Sequence, residues 1–361
     1  MNKSEKIIVG LSGGVDSSVA TLMLLEQGYE VEALFMKNWD EDDSDGHCTA
    51  EQDLSDAQKV ADKLGVKLHS INFSADYWED VFEHFLQEHR KGRTPNPDVL
   101  CNQKIKFKVF LEHALSLGAD KIATGHYARI THNNNTYQLR TGVDDNKDQS
   151  YFLHLLNQQQ LSKSLFPLGE ISKTKVRALA KKHDLITAEK KDSTGICFIG
   201  ERNFSQFLQT YLPKQPGNIV DEHGQFIKYH QGLAFYTIGQ RKGLEIGGGF
   251  SDSPEPWFVA DKRVDKNELL VVQGDHPLLY HQTLTTSNLH WIGNQPDLPL
   301  DCQAKIRYRQ ASQDCTLMSH NNSLKVIFKH PQRAITPGQS VVFYQQDICL
   351  GGAIIEQRNN E

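Results

Sequence analysis

The stretch "GLSGGVDSSVA", Gly10–Ala20, decides how this chain is read. It follows the apolar run "IIVGL" (Ile7–Leu11) and opens the helix-like "VDSSVATLMLLEQG" (Val15–Gly28), so it is a strand–turn–helix corner. Glycines there let backbone approach an anion. The N–H groups of the helix start and the hydroxyls of Ser12, Ser17 and Ser18 supply donors to it. A lysine-type phosphate loop reads G-x-x-x-x-G-K-[ST], whereas Val15-Asp16 stands in the lysine's place here. A carboxylate beside phosphates suits a Mg²⁺ ion that neutralises departing pyrophosphate, which makes Asp16 the candidate metal contact.

Working outward, "IIVGL", "VEALFM", "LHSINF" and "KIATGHY" read as buried strands. Between them lie "VDSSVATLMLLEQG", "AEQDLSDAQKVADKLG", "ADYWEDVFEHFLQEHRKG" and "IKFKVFLEHALSLG", helical patterns ending at Gly28, Gly65, Gly92 and Gly118, where left-handed caps belong. This alternation predicts an α/β fold with a parallel sheet that binds ligands at its carboxyl edge. Helical character continues through "DQSYFLHLLN" and "ISKTKVRALAKKHDL", while "HNNNT" (His132–Thr136) reads as a turn. Past Arg202, after "NFSQFLQTYL", the chain becomes strand-and-turn. "SLKVIFK" and "SVVFYQ" around "TPGQ" predict a terminal small barrel. The expected units are 1–202, a parallel-sheet loop domain; 203–282, a small β-rich domain; and 283–361, a β-barrel.

The 361 residues carry a formal charge of −6, which argues against a uniformly basic nucleic-acid binder. The charge is uneven. "DEDDSD" (Asp40–Asp45) is acidic, whereas Glu88–Lys108 holds six Lys/Arg against two Asp/Glu and could meet phosphates, or simply be a solvated helix face. No apolar run reaches the roughly 20 residues of a membrane helix, and no signal-peptide pattern opens the chain. The expectation is a cytoplasmic protein with no membrane role, and a monomer, since no coiled-coil pattern occurs. Six cysteines (Cys48, Cys101, Cys197, Cys302, Cys315 and Cys349) form no C-x-x-C pair, so neither a structural metal site nor a disulfide framework is expected. A functional cysteine would be catalytic or redox-active.

Two cysteine segments stand out. In "RTPNPDVLCNQKIKF" (Arg93–Phe107), Pro95 and Pro97 hold the chain extended, so a helix starts near Asp98. With Asp98 as N-cap, Cys101 falls at N3, where the helix dipole favours a thiolate. Lys104, Lys106 and Lys108 add to that field. In "KKDSTGICFIGERNF" (Lys190–Phe204), Cys197 lies beside the expected domain boundary, where clefts form. Either cysteine, taken alone, could equally be a small core residue.

The loop resembles the S-G-G-x-D-S signature of PP-loop pyrophosphatases, which cleave ATP between its α- and β-phosphates. Loop, N-P-D-x-x-C-N and S-T-G-I-C-F-I-G-E-R occur in the order of the tRNA-specific 2-thiouridylases. The resemblance spans essentially the whole chain, through "GLAFYTIGQRKGL" and the barrel. It implies ATP-dependent insertion of sulfur at C2 of the wobble uridine of tRNA, with a persulfide-carrying relay protein as donor. Carried over by position, Gly10, Leu11, Ser12, Gly13, Gly14, Val15, Asp16 and Ser17 bind ATP. Met36 packs by the adenine and Gly125 admits the nucleotide. The resemblance further implies that Cys197 bears the persulfide, that Cys101 attacks it to leave a transient disulfide, and that Asp98 is general acid/base. Asn96, Pro97 and Asp98 would line the pocket for a flipped uridine. His126, Lys147, Asp148, Gln149, Arg307, Tyr308 and Gln339 would contact tRNA.

The loop alone leaves other PP-loop enzymes open, such as a lysidine or amide-forming synthetase, which need ATP but no cysteine. A non-catalytic tRNA-binding module would show a degraded loop, yet Ser12, Gly13, Gly14, Asp16 and Ser17 are intact.

Overall fold

The structure, a computed structural model, describes residues 4–39, 49–192, 204–247 and 254–359. The acidic loop, Cys48 and Cys197 lie outside the described residues, so the expected meeting of Cys101 with Cys197 does too.

The chain opens with β1 (Lys6–Gly10), α1 (Val15–Glu26), β2 (Glu30–Lys37), α2 (Thr49–Leu64) and β3 (Leu68–Asn72). Two long helices follow, α3 (74–90) and α4 (97–116), then β4 (Lys121–Ala123). Next come a hairpin, β5 (Ala128–Asn133) and β6 (Thr136–Thr141), then α5 (Gln158–Ser162), β7 (Ser164–Leu165) and α6 (Lys173–Lys182). Strands β3-β2-β1-β4-β7 form a parallel five-stranded sheet. Its centre is dry on both faces. Ile7 and Val9 of β1 join a core with Ala57, Val60 and Ala61 of α2. Ile8, between them, joins the opposite core with Phe82, Phe107 and Phe110. Each such fully buried side chain contributes about 2 kcal/mol. Helices end as the glycines required, with Gly28, Gly65, Gly92 and Gly118 all at positive φ (85°, 69°, 72° and 82°). Strand order reverses beside β1, which has β2 on one side and β4 on the other, so a crevice opens at their carboxyl ends.

One expectation changes. "DQSYFLHLLN" holds only a 3₁₀ turn at Ser150–Leu153, because the Asp148 carboxylate accepts from the N–H groups of Gly142 and Ser150 (both 3.1 Å) and fixes a bend instead. "HNNNT" is a turn, but it is the tip of the β5–β6 hairpin, with Asn134 and Asn135 at φ 45° and 64°.

After α7 (Phe204–Tyr211) come β8 (Gly217–Val220), β9 (Phe226–His230), β10 (Trp257–Arg263) and β11 (Glu268–Gln273). These make a four-stranded sheet in the order β10-β11-β8-β9. The last six strands are β12 (Tyr280–Trp291), β13 (Leu300–Lys305), β14 (Gln313–His320), β15 (Ser323–Arg333), β16 (Ser340–Gln345) and β17 (Ile348–Asn359). They run β12-β15-β14-β13-β16-β17, and the β12–β17 pairing closes the ring. The β5–β6 hairpin then continues this sheet through β17, with Ile348 opposite Arg140 and Cys349 opposite Leu139. Two strands from the first part of the chain thus belong to the barrel's sheet.

Candidate active site

The loop Leu11–Gly14 sits at the carboxyl end of β1, in the crevice beside β4. Gly13 has φ +73°, and a Cβ there would lie 2.2 Å from the Asp53 carbonyl of α2, so only glycine fits. The N-cap of α1 is Gly14, whose side chain offers the first turn no acceptor. Ser17 holds the loop from below: its Oγ accepts from Ser12 N (3.1 Å) and donates to Gly14 O (3.2 Å). Ser18 is fully buried and donates to Gly14 O (2.8 Å) while accepting from the Thr187 hydroxyl (3.1 Å). Ser12 is the exposed hydroxyl of the three, 3.2 Å from Ser17 Oγ. Lys190 clamps the loop from α2's side, donating to Gly13 O (3.0 Å), Asp53 Oδ1 (2.8 Å) and Asp56 Oδ2 (2.6 Å).

Asp16, the candidate metal contact, is already engaged. Its carboxylate accepts from the Tyr127 hydroxyl (2.6 Å) and from Lys173 Nζ through both oxygens (2.7 Å each). Lys173 also meets Asp192 (2.7 Å), which meets Lys147 (2.7 Å) and Arg177 (2.8 Å). Burial alone would raise the Asp192 pKa; the hydrogen bonds from Lys147 and Lys173 outweigh it and hold the carboxyl at about 2. Burial, and then Asp16, push the Tyr127 hydroxyl well above its ordinary value, so it stays a donor. These contacts do not fit a Mg²⁺ ligand at Asp16, and no group of three or more His, Cys, Asp or Glu is arranged for a metal among the described residues.

Gly125 lies against the first turn of α1: a Cβ there would lie 2.9 Å from Ser17 N and 3.0 Å from the Asp16 carbonyl carbon. A side chain there would push that turn away from β4. Met36, at the carboxyl end of β2, lies beside Gly10, its Cε 3.5 Å from where a Cβ would be.

The second segment corrects the expected helix start. Asn96, not Asp98, is the N-cap: its Oδ1 accepts from Asp98 N (3.2 Å), and Pro97 takes the first helical position. Cys101 therefore sits two residues deeper than N3, at the head of a π-helical stretch, Cys101–Val109, and is 2% exposed in the aromatic core. It lies past the first turn, where the helix dipole acts most strongly. Asp98 is half-buried; burial raises its pKa, against the opposing effect of Lys106. Such a carboxyl is suited to exchanging a proton.

The expected tRNA set divides. Lys147 is spent on Asp192 and Gln149 on Tyr127, accepting its N–H (3.0 Å). Asp148 is buried within the β6 bend and reaches Lys305 of the barrel (3.5 Å). His126 is 8% exposed between Phe107 and Phe166; burial, then Lys106, lower its pKa well below the ordinary value, so it is neutral and turned inward. Arg307 donates to the carbonyls of Arg333 and Ala334 (2.6 Å each), and Tyr308 packs on Phe152 (4.4 Å). The Gln339 amide donates to the carbonyls of Thr94 (2.7 Å) and Pro95 (3.2 Å). Lys104, Lys106 and Lys108 make no ion pair among the described residues.

Sequence reasoning missed Tyr127, Lys173, Lys190 and Asp192. One signal was present. Lys173 opens α6 directly after its N-cap, Ser172, where the helix dipole disfavours a cation, so a nearby anion was to be expected.

The class of protein follows from three matched models. The family described as tRNA methyl transferase HUP domain covers residues 5–201, a PRC-barrel domain of the same description covers 205–273, and an aminomethyltransferase β-barrel domain covers 281–355. A protein named tRNA-specific 2-thiouridylase in Ruthia magnifica is 75% identical over 359 residues, 99% of both chains. One of the same name in Stutzerimonas stutzeri is 59% identical, over 98% of this chain and 94% of that one. A solved 4-thiouridine synthetase–RNA complex with bound ATP is 17% identical, covering 57% of this chain and 49% of that one, at a TM-score of 0.35. The chain belongs to the tRNA-specific 2-thiouridylase family.

Proposed function

We propose that this protein carries out ATP-dependent 2-thiolation of the wobble uridine of tRNA. What carries this reading is the end-to-end identity of 75% to a 2-thiouridylase, a match that spans both cysteine segments. The word methyl transferase in the domain descriptions fits the residues less well, since methyl transfer needs neither a pyrophosphatase-type loop nor two thiols.

Uracil oxygen is a poor leaving group, so the reaction begins at Gly10–Ser17 with ATP. The C2 oxygen attacks the α-phosphorus, pyrophosphate leaves, and an adenylated uridine forms. The terminal sulfur of a Cys197 persulfide then attacks C2 and AMP departs. Cys101 sulfur bonds to Cys197 sulfur as the persulfide S–S bond breaks, so two thiol-level sulfurs are oxidised while the transferred sulfur is reduced. A relay protein reloads Cys197 after an external thiol reduces the disulfide. Asp98, with its raised pKa, exchanges the proton. Ser12 and the start of α1 face the phosphates, with Lys173 held beside that turn by Asp16 (2.7 Å) and Lys190 on the carbonyl of Gly13 (3.0 Å). Mg²⁺, if it enters with the nucleotide, is left to the phosphates themselves.

The test is mass spectrometry of nucleosides from tRNA incubated with ATP and a persulfide donor. Wild type should add the mass difference of sulfur for oxygen, and Cys101→Ala and Cys197→Ala should not. Unmodified uridine from active, persulfide-loaded wild type overturns the proposal.

A further inference from the structure

The segment that leads into Asn96–Cys101 is gripped by the barrel. Thr94 N donates to Pro337 O (3.0 Å), and the Gln339 amide spans the carbonyls of Thr94 and Pro95. Gly338, at φ +94°, lies so close that a Cβ would be 2.9 Å from Thr94 N and 3.0 Å from Arg93 Cβ. Arg93 completes the grip by reaching Glu356 (2.7 Å) and Ile355 O (3.1 Å) on β17, and Glu88 (2.8 Å) on α3. The turn is itself pinned to β17, because Gly338 N donates to Ile355 O (2.9 Å) and Ile355 N to Gln339 O (2.8 Å). Pro95 and Pro97 leave little freedom between this grip and Asp98.

We infer that the barrel turn Thr336–Gln339 is a positioning element for the thiolation site, with Gln339 setting where Asp98 and Cys101 stand. The inference rests on the proposed activity and deepens it. Gln339 acts on the site through the Thr94 and Pro95 carbonyls. Its amide hydrogens are both engaged on protein, which leaves its carbonyl oxygen alone for any other partner.

The experiment uses the full-length protein and two substitutions. Gln339→Ala removes both donors; Gln339→Glu keeps the shape but turns an acceptor towards two carbonyls. Circular dichroism melting identifies a variant that fails to fold, and the other then carries the test. Three quantities are read: tRNA affinity at fixed salt, the single-turnover rate of 2-thiouridine formation at saturating tRNA and ATP, and iodoacetamide labelling of Cys101 without tRNA. Labelling of Cys349, buried in the barrel sheet, is the internal reference. Expected are an affinity within about twofold of wild type, a saturating rate down about tenfold, and faster labelling at Cys101 with Cys349 unchanged. Weakened affinity with an unchanged saturating rate overturns the inference and makes Gln339 an RNA contact. Equal gains in labelling at Cys101 and Cys349 also overturn it, since they report general loosening. If wild type leaves tRNA unmodified, the proposed activity fails, while the labelling arm still decides the grip.

Discussion

Gly13 and Asp98 show how much one residue carries. At Gly13 both the dihedral and the Asp53 carbonyl forbid a side chain. Gly13→Ala should lower stability by about 1–3 kcal/mol, seen as a lower melting temperature, and should cut ATP-dependent pyrophosphate release more than it cuts tRNA affinity. Asp98 carries a cost of its own. Its folded pKa is raised, so the folded state holds the proton more tightly than the unfolded chain does, and stability falls as pH rises past that pKa. Asp98→Asn should therefore melt higher than wild type at neutral pH while losing thiolation. The advantage should vanish as pH drops towards the ordinary carboxylate value; a constant difference across pH would contradict the assignment.

Among the elements, β1, the loop and α1 were legible because each obeys a local rule: a continuous apolar run buried on both faces, glycines at a phosphate corner, an N-terminal helix turn. The start of α4 was misjudged by two residues because Asn96 and Asp98 are both good caps, and only the observed Asn96 bond separates them. Its π-helical stretch left no mark in the sequence, since widening a helix turn depends on what packs against it. The Asp16–Lys173–Asp192 chain was hidden for another reason: its members come from α1, α6 and the segment after it, far apart in sequence. It makes a pH prediction. Asp192 contributes stability that is present above its unfolded pKa near 3.8 and lost as pH falls through about 2. Asp192→Asn should flatten that part of the acid-unfolding curve, measured by circular dichroism, while lowering stability at neutral pH.

For the molecule as a whole, charge was read correctly as uneven but not which charges remain available. Arg93 and Lys91 of the basic stretch are paired with Glu88, whereas Lys104, Lys106 and Lys108 are in no ion pair among the described residues. Lys108 is exposed, and Lys108→Ala should weaken tRNA binding at low salt and reduce the slope of log affinity against log salt by about one. An unchanged slope places the phosphates elsewhere. The hairpin's membership of the barrel sheet could not be foreseen, because strand partners so distant in sequence share no local signal. That membership bears on synthesis. The hairpin leaves the ribosome early, ending at Thr141, yet β17, which both seals the ring and covers the β6 edge, begins only at Ile348. Until then β6 is an open template for pairing with other nascent chains. A chain released before β17 is made would carry two defects at once, an unzipped ring and a bare strand edge open to pairing.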